Sequence, residues 1–230
     1  MKNELYDLMI KAIKEERHPL IKADCREIWN QPFFYRIDKA KVITLSYAPT
    51  DKGAQKNYTS IYEKYKKDKN SLTAEEIYEI LYNFQKEVYW RKWYDKIFTS
   101  LGIKEIEIAH LDMSSFPYDK DAYRKKHSSL DKSYVYTLQA VDLLLNQLEY
   151  ILIDGKDNKE MFNTYFSKDY YLIKKEMLRV NNSGRLSELS IYNHKEKDVK
   201  LIYFGTFLYG ATCVSEKCVN EIVEHIKSIK

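Results

Sequence analysis

Three short apolar runs, at residues 42–47 (VITLSY), 150–153 (YILI) and 199–204 (VKLIYF), are separated by long stretches with helical spacing. Runs of this length, bounded by polar or turn residues, suit strands buried on both faces, and such strands belong to parallel sheets. Parallel neighbours need long crossovers, and helices supply them. A fourth segment, residues 103–111 (IKEIEIAHL), alternates apolar and polar side chains as a strand does. The pattern therefore predicts an α/β chain with strands near 42–47, 104–110, 150–154 and 199–204.

The helices are read from apolar spacing. Leu5, Leu8, Met9, Ala12 and Ile13 share one face over residues 3–17, and His18-Pro19 ends that segment. Residues 20–40 read as a loop with room for a short helix, packed on the core by Trp29, Phe33, Phe34 and Tyr35, and the lysine-rich stretch 57–69 as a solvated helix or loop. Thr73 and Glu76 form a capping box ahead of a helix over 74–101, which Gly102 terminates. Tyr134, Leu138, Val141, Leu145 and Leu148 mark a helix over 132–148, and a short helix is expected at 157–166. Residues 170–180 and 186–193 flank NNSG and read as a β-hairpin. Ser215 caps a last helix with Cys218, Val219, Ile222, Val223 and Ile226 inward. The expected fold is a three-layer α/β/α sandwich with a central four-stranded parallel sheet plus a β-hairpin insertion, as a single domain over residues 1–230.

The chain has 230 residues, 44% hydrophobic and 31% charged. This composition excludes disordered and low-complexity classes. No run approaches 18 apolar residues, so no transmembrane helix and no membrane partner are expected. The charged first residues do not read as a secretory signal, and a cytoplasmic location is expected. Formal charge is 38 − 34 = +4, which permits a phosphate-bearing partner. Cys25, Cys213 and Cys218 are an odd set with no matching Cys/His pair, so neither a disulfide framework nor a zinc site is expected. No metal and no cofactor are expected. Gly155-Lys156 lacks the other residues of a phosphate loop, and no dinucleotide fingerprint or nucleophile elbow is present.

Ligands of open α/β sheets bind beyond the carboxyl ends of the strands. Four loops then matter: 47–53, 110–117, 155–158 and 205–210. His110 and Asp112 close the second strand; His110 reads either as an acid/base or ligand-reading group or as a packed histidine bonded to a loop carbonyl. Asp51 reads as a pocket carboxylate or as a helix cap. Arg124, Lys125, Lys126 and Lys132 form a basic run that reads as a phosphate contact or as a solvated face.

The order of these loops resembles the uracil-DNA glycosylase superfamily. Ser46-Tyr47-Ala48-Pro49-Thr50 after VITL stands where that family carries its Gly-Glu-Ala-Pro-Gly-like first motif. IEIAHLDMSSFP puts His110 near the family's base-reading Asn, YILIDGKDNKEMF matches its third strand and following helix, and residues 205–210 stand where its His-Pro-Ser motif lies. The resemblance runs over residues 40–228. It implies a four-stranded parallel sheet with the first and third strands at its centre. It also implies binding of DNA or of a free nucleobase or nucleotide at the carboxyl edge. Tyr47 or Ala48 occupies the usual catalytic position and the last-motif histidine is absent. The implied activity is therefore weak, altered or lost N-glycosidic hydrolysis, with Asp51 and His110 as the catalytic substitutes. Tyr47, Ala48, Pro49, Asp112, Phe116, Phe207 and Tyr209 would line the substrate site. Two other readings stay open. One is a small-molecule or nucleotide-processing enzyme on a doubly wound sheet. The other is a non-catalytic interaction module, which would expose an apolar or aromatic patch on the hairpin.

Overall fold

The computed structural model describes residues 37–46, 92–112, 134–208 and 214–229, together with residues 4, 5, 7, 8 and 11. Its strands are β1 (Val42–Ser46), β2 (Ile108–Asp112), β3 (Tyr150–Asp154), β4 (Tyr170–Arg179), β5 (Leu186–His194) and β6 (Lys200–Phe204). The helices are α1 (Lys92–Thr99), α2 (Tyr134–Leu144), α3 (Lys159–Tyr165) and α4 (Glu216–Lys227).

The fold is α/β, and the strands form one mixed six-stranded sheet in the order β2-β1-β3-β6-β5-β4. β1 and β6 both pair parallel with β3, in the registers Val42↔Tyr150 and Tyr150↔Lys200. β5 pairs antiparallel with β6, and β4 antiparallel with β5. This corrects the expected four-stranded parallel sheet. The hairpin is no appendage, because its second strand continues the sheet beside β6. Leu189 and Ile191 alternate inward on β5 and are buried with Phe204 and Ile202, so that strand gains a core only by joining.

Chain contacts divide the molecule into two compact units. Unit 1 comprises Met1–Asp38, Ser46–Glu87 and His110–Leu144, and unit 2 comprises Lys39–Leu45, Val88–Ala109 and Leu145–Lys230.

Unit 2 is built on one face of the sheet by α1 and α4. Val42, Tyr150, Leu152, Ile202, Phe204, Leu189 and Ile191 share that face and form one apolar cluster with Tyr94, Ile97 and Phe98 of α1 and with the buried stripe of α4. The stripe is Cys218, Val219, Ile222, Val223 and Ile226, as the spacing predicts, and the Cys218 N–H donates to Ser215 Oγ at 3.3 Å to cap the helix. Each fully buried aliphatic or aromatic side chain here contributes about 1.5–3 kcal/mol. Of the helix expected over 74–101, Lys92–Thr99 lies among the described residues. It ends as predicted: Gly102 takes φ 89°, and the Gly102 and Ile103 N–H groups donate to Thr99 O and Phe98 O. Lys96 and Glu216 join α1 to α4 in an ion pair. On the opposite face Phe162 of α3 stacks on Tyr192 of β5, with ring centroids 4.5 Å apart.

Two boundaries differ from expectation. Residues 105–107 form a 3₁₀ turn, because Glu107 reaches back to the Lys104 N–H at 2.9 Å, and β2 starts only at Ile108. The α3 segment opens with a 3₁₀ turn, Lys156–Asn158, before the helix proper.

In unit 1, residues 4, 5, 7, 8 and 11 are helical, with Leu5 and Leu8 buried as their spacing predicts. Helix α2 ends at Leu144, earlier than expected. It buries Tyr136, Ala140, Val141 and Leu144, whereas Leu138 is half-buried. The helix is apolar nearly all round, so spacing alone does not single out its buried face. Among the described residues no helix is long and apolar enough to cross a membrane.

Candidate functional site

β3 is a fully buried strand that ends on a carboxylate. Asp154 is only 2% exposed. A buried carboxylate persists only when its lone pairs find donors. Its Oδ2 accepts the Tyr94 hydroxyl of α1 at 2.8 Å and the Leu208 backbone N–H at 2.7 Å. The Asp154 carbonyl accepts the Asn158 side-chain amide at 2.5 Å. One residue thus ties the end of β3 to α1, to the 3₁₀ turn and to the loop after β6.

The next residue makes the contact closer. Gly155 has φ 91°, and its N–H donates to Phe204 O at 2.8 Å. A Cβ there would lie 2.3 Å from the Phe207 ring. The third and fourth strand-end loops therefore meet, with Phe207 seated directly on the Gly155 backbone. β5 holds the same loop from its other side. The Gly205 N–H donates to Glu188 O at 2.8 Å, and Thr206 Oγ1 donates to Ser187 Oγ at 2.9 Å.

Glu188 lies on this carboxyl edge, one residue past the pairing of Leu189 with Phe204. Lys159 Nζ sits 3.0 Å from both its carboxylate oxygens, Lys175 Nζ 3.1 Å from Oε2, and Ser190 Oγ donates to Oε1 at 2.8 Å. Burial pushes the Glu188 carboxyl up, but the hydrogen bonds from Lys159, Ser190 and Lys175 outweigh it and hold the group below its ordinary range. Lys159 Nζ also stands 5.4 Å from the centre of the Tyr203 ring. Both ammonium groups keep roughly half their side-chain surface in solvent. An ammonium has three donors, so this pair can hold Glu188 and still offer a proton to an anionic ligand.

The residues expected from sequence fall into three groups. Phe207 lies in unit 2 where the third and fourth loops meet. His110 lies in β2, in the part of the chain counted with unit 1, and is 7% exposed. Asp112 is the last residue of β2, described in its backbone alone. Tyr47, Ala48, Pro49, Asp51, Phe116, Arg124, Lys125, Lys126, Lys132 and Tyr209 lie outside the described residues. A groove of about 510 Å³ in unit 1 is lined, among the described residues, by Glu4, Asp7, Lys11 and Asp142 together with apolar neighbours, and neither His110 nor Phe207 is among these. Among the described residues no group of three or more His, Cys, Asp or Glu could hold a metal ion.

Sequence reasoning missed Asp154, Tyr94, Lys159 and Glu188, and reached Asn158 only as the end of the 155–158 loop. A signal existed for Asp154, because a charged residue closing a wholly apolar strand at the carboxyl edge of the sheet needs buried donors. None existed for Glu188, whose two lysines come from α3 and β4.

Set beside known proteins, the chain matches no family model and none of the curated proteins.

Proposed function

We propose that the chain is a divergent uracil-DNA glycosylase-like protein that binds a nucleobase or nucleic acid at the carboxyl edge of the sheet, with weak, altered or lost N-glycosidic hydrolysis. The observation that carries this reading is the strand order. β1 and β3 lie side by side between β2 and β6, the order that the resemblance implies for strands one to four, and the hairpin is added outside that set. In this reading the sheet forms the middle of a three-layer sandwich. Phe207 gives a flat surface for a base beside the glycine turn that ends β3. Lys159 and Lys175 offer phosphate-facing charge at that edge, and the basic run Arg124, Lys125, Lys126 and Lys132 is the further phosphate contact that the sequence offers. Asp51 orients water and His110 bonds the edge of the base. Without the usual carboxylate and histidine, excision is slow at neutral pH.

The test measures mobility shifts and abasic-site formation on single- and double-stranded DNA carrying uracil. Binding is expected to weaken in Phe207→Ala and to fall off with salt. That salt dependence is expected to flatten when Arg124→Gln, Lys125→Gln and Lys126→Gln are combined. Residual excision is expected to vanish in Asp51→Asn. A chain that binds neither DNA nor free uracil overturns the reading. Robust excision untouched by Asp51→Asn and His110→Ala overturns the assigned residues and keeps the fold relation.

A further inference from the structure

The outer edge of the sheet is β4, ten residues long and paired with β5 alone among the described residues. An edge of this length is a template for another strand unless something blunts it. Tyr171, Leu172, Ile173 and Met177 are 49%, 50%, 37% and 55% exposed along it. That is much apolar surface for an edge facing only water.

We propose that β4 pairs antiparallel with β4 of a second copy of the chain, with Lys175 on the two-fold axis. The register follows from charge. In a two-fold antiparallel pair each residue opposes the one equally far on the other side of the centre, and opposed side chains share a sheet face. The centre must therefore fall on a residue. Centred on Lys174 or on Glu176, the strands oppose two like charges and gain no opposite pair. Centred on Met177, Lys175 meets Arg179. Centred on Ile173, no charged pair forms at all. Centred on Lys175, Lys174 opposes Glu176 twice, and the one like-charge pair is Lys175 with itself. Each Lys175 is already held by Glu188 of its own chain at 3.1 Å, so that central repulsion is compensated. Lys174 gives one hydrogen bond, to Ser228 Oγ, and has further donors for the partner's Glu176. Ile173, at the bulge between Leu172 and Lys174, and Met177 flank this charged centre with apolar surface. The pairing would join two six-stranded sheets into one and leave no free edge on this side of either. The proposal rests on the β4 edge and not on the glycosylase reading, although Lys175 figures in both.

The test is sedimentation equilibrium on the full chain across the micromolar range. Wild type is expected to dimerise. Lys174→Glu and Glu176→Lys each turn two attractive pairs into two repulsive ones and are expected to weaken the dimer about tenfold or more. The double swap Lys174→Glu with Glu176→Lys restores both pairs and the dimer. Mixing the two single variants gives a heterodimer, because each then supplies what the other lacks. Circular dichroism checks that the variants stay folded. Hydrogen exchange on the unaltered chain gives a second reading, with β4 amides more protected as concentration rises. A monomer throughout, a dimer indifferent to both charges, a swap without rescue, or β4 protection that ignores concentration would each overturn the proposal.

Discussion

The carboxyl end of β3 and the outer edge of β4 are both places where strand backbone runs out of neighbours, and the chain treats them in opposite ways. At β3 every group is enclosed. Asp154 gathers donors from α1 and from the loop after β6, and Gly155 brings its backbone under Phe207. At β4 most side chains stand in solvent, and the lysines that are held, Lys174 by Ser228 and Lys175 by Glu188, are held at the surface. Enclosure makes the first region intolerant of change, because each buried polar atom has one arrangement that satisfies it. Exposure leaves the second open to a partner.

The contrast breaks most readily at Asp154. Asp154→Ala removes the carboxylate that accepts from the Tyr94 hydroxyl and the Leu208 N–H at a buried position, and is expected to cost about 3–5 kcal/mol in urea unfolding. Asp154→Asn keeps an acceptor oxygen and should cost less than half as much. If Ala and Asn behave alike, the carboxylate is not what joins the loops.

Gly155→Ala comes next. It meets an unfavourable φ and an aromatic ring at once, and about 2–4 kcal/mol is expected. Gly184→Ala is the control: its φ of 80° is similar, yet nothing lies within 4 Å of the added carbon. It should show the cost of a positive φ without a clash, about 1–2 kcal/mol. In the double variant with Phe207→Ala, the Gly155→Ala penalty should fall toward the Gly184 value. A penalty unchanged by removing the ring would place the constraint in the backbone only.

A smaller effect is expected at Glu188, which joins the two regions through Lys159 and Lys175. Its folded-state pKa is lowered, so its contribution is present above the ordinary value of 4.5 and is lost as pH falls through the lower folded value. Glu188→Gln should cost about 0.5–1.5 kcal/mol at neutral pH. Its stability should then fall less than that of wild type on acidification below 4.5. Equal acid slopes for the two chains would show that Glu188 has no part in the acid response.

The smallest expected signal is chemical. Cys218 is fully buried in the α4 stripe, and burial, then the nearby Glu221 charge, pushes its thiol up to about 11. In a Cys25→Ser, Cys213→Ser background the native protein should leave a thiol reagent at about pH 8, near the ordinary thiol range, almost unconsumed until it is unfolded. Prompt reaction would mean that α4 opens on its own.

Much of unit 2 is legible in the amino-acid sequence itself. β1, β3 and β6 are continuous apolar runs, and a chain has few other uses for such runs between helices. α4 has a cap and one clean stripe. The hairpin has its turn, where Asn181 accepts the Ser183 N–H and Gly184 takes the positive φ. Each of these is a local signal, written within a few residues. The start of β2 is not legible, because the alternation of IKEIEI suits a strand equally well until Glu107 folds back on the Lys104 N–H.

What lies beyond the sequence is non-local. Alternation in 186–194 says that one face is buried, but not that β6 will be the neighbour that buries it. Only packing decides that Leu189 meets Phe204 and that the sheet has six strands. The candidate site divides along the same line. The carboxyl edge could be located from the strands, since parallel strands end together. The pairing of Asp154 with Tyr94, of Gly155 with Phe207 and of Glu188 with two lysines joins residues of different elements, up to 60 positions apart. Spacing along a chain carries the period of one element. Which elements touch is set by how their buried faces fit together, and that exists only once the tertiary structure has formed.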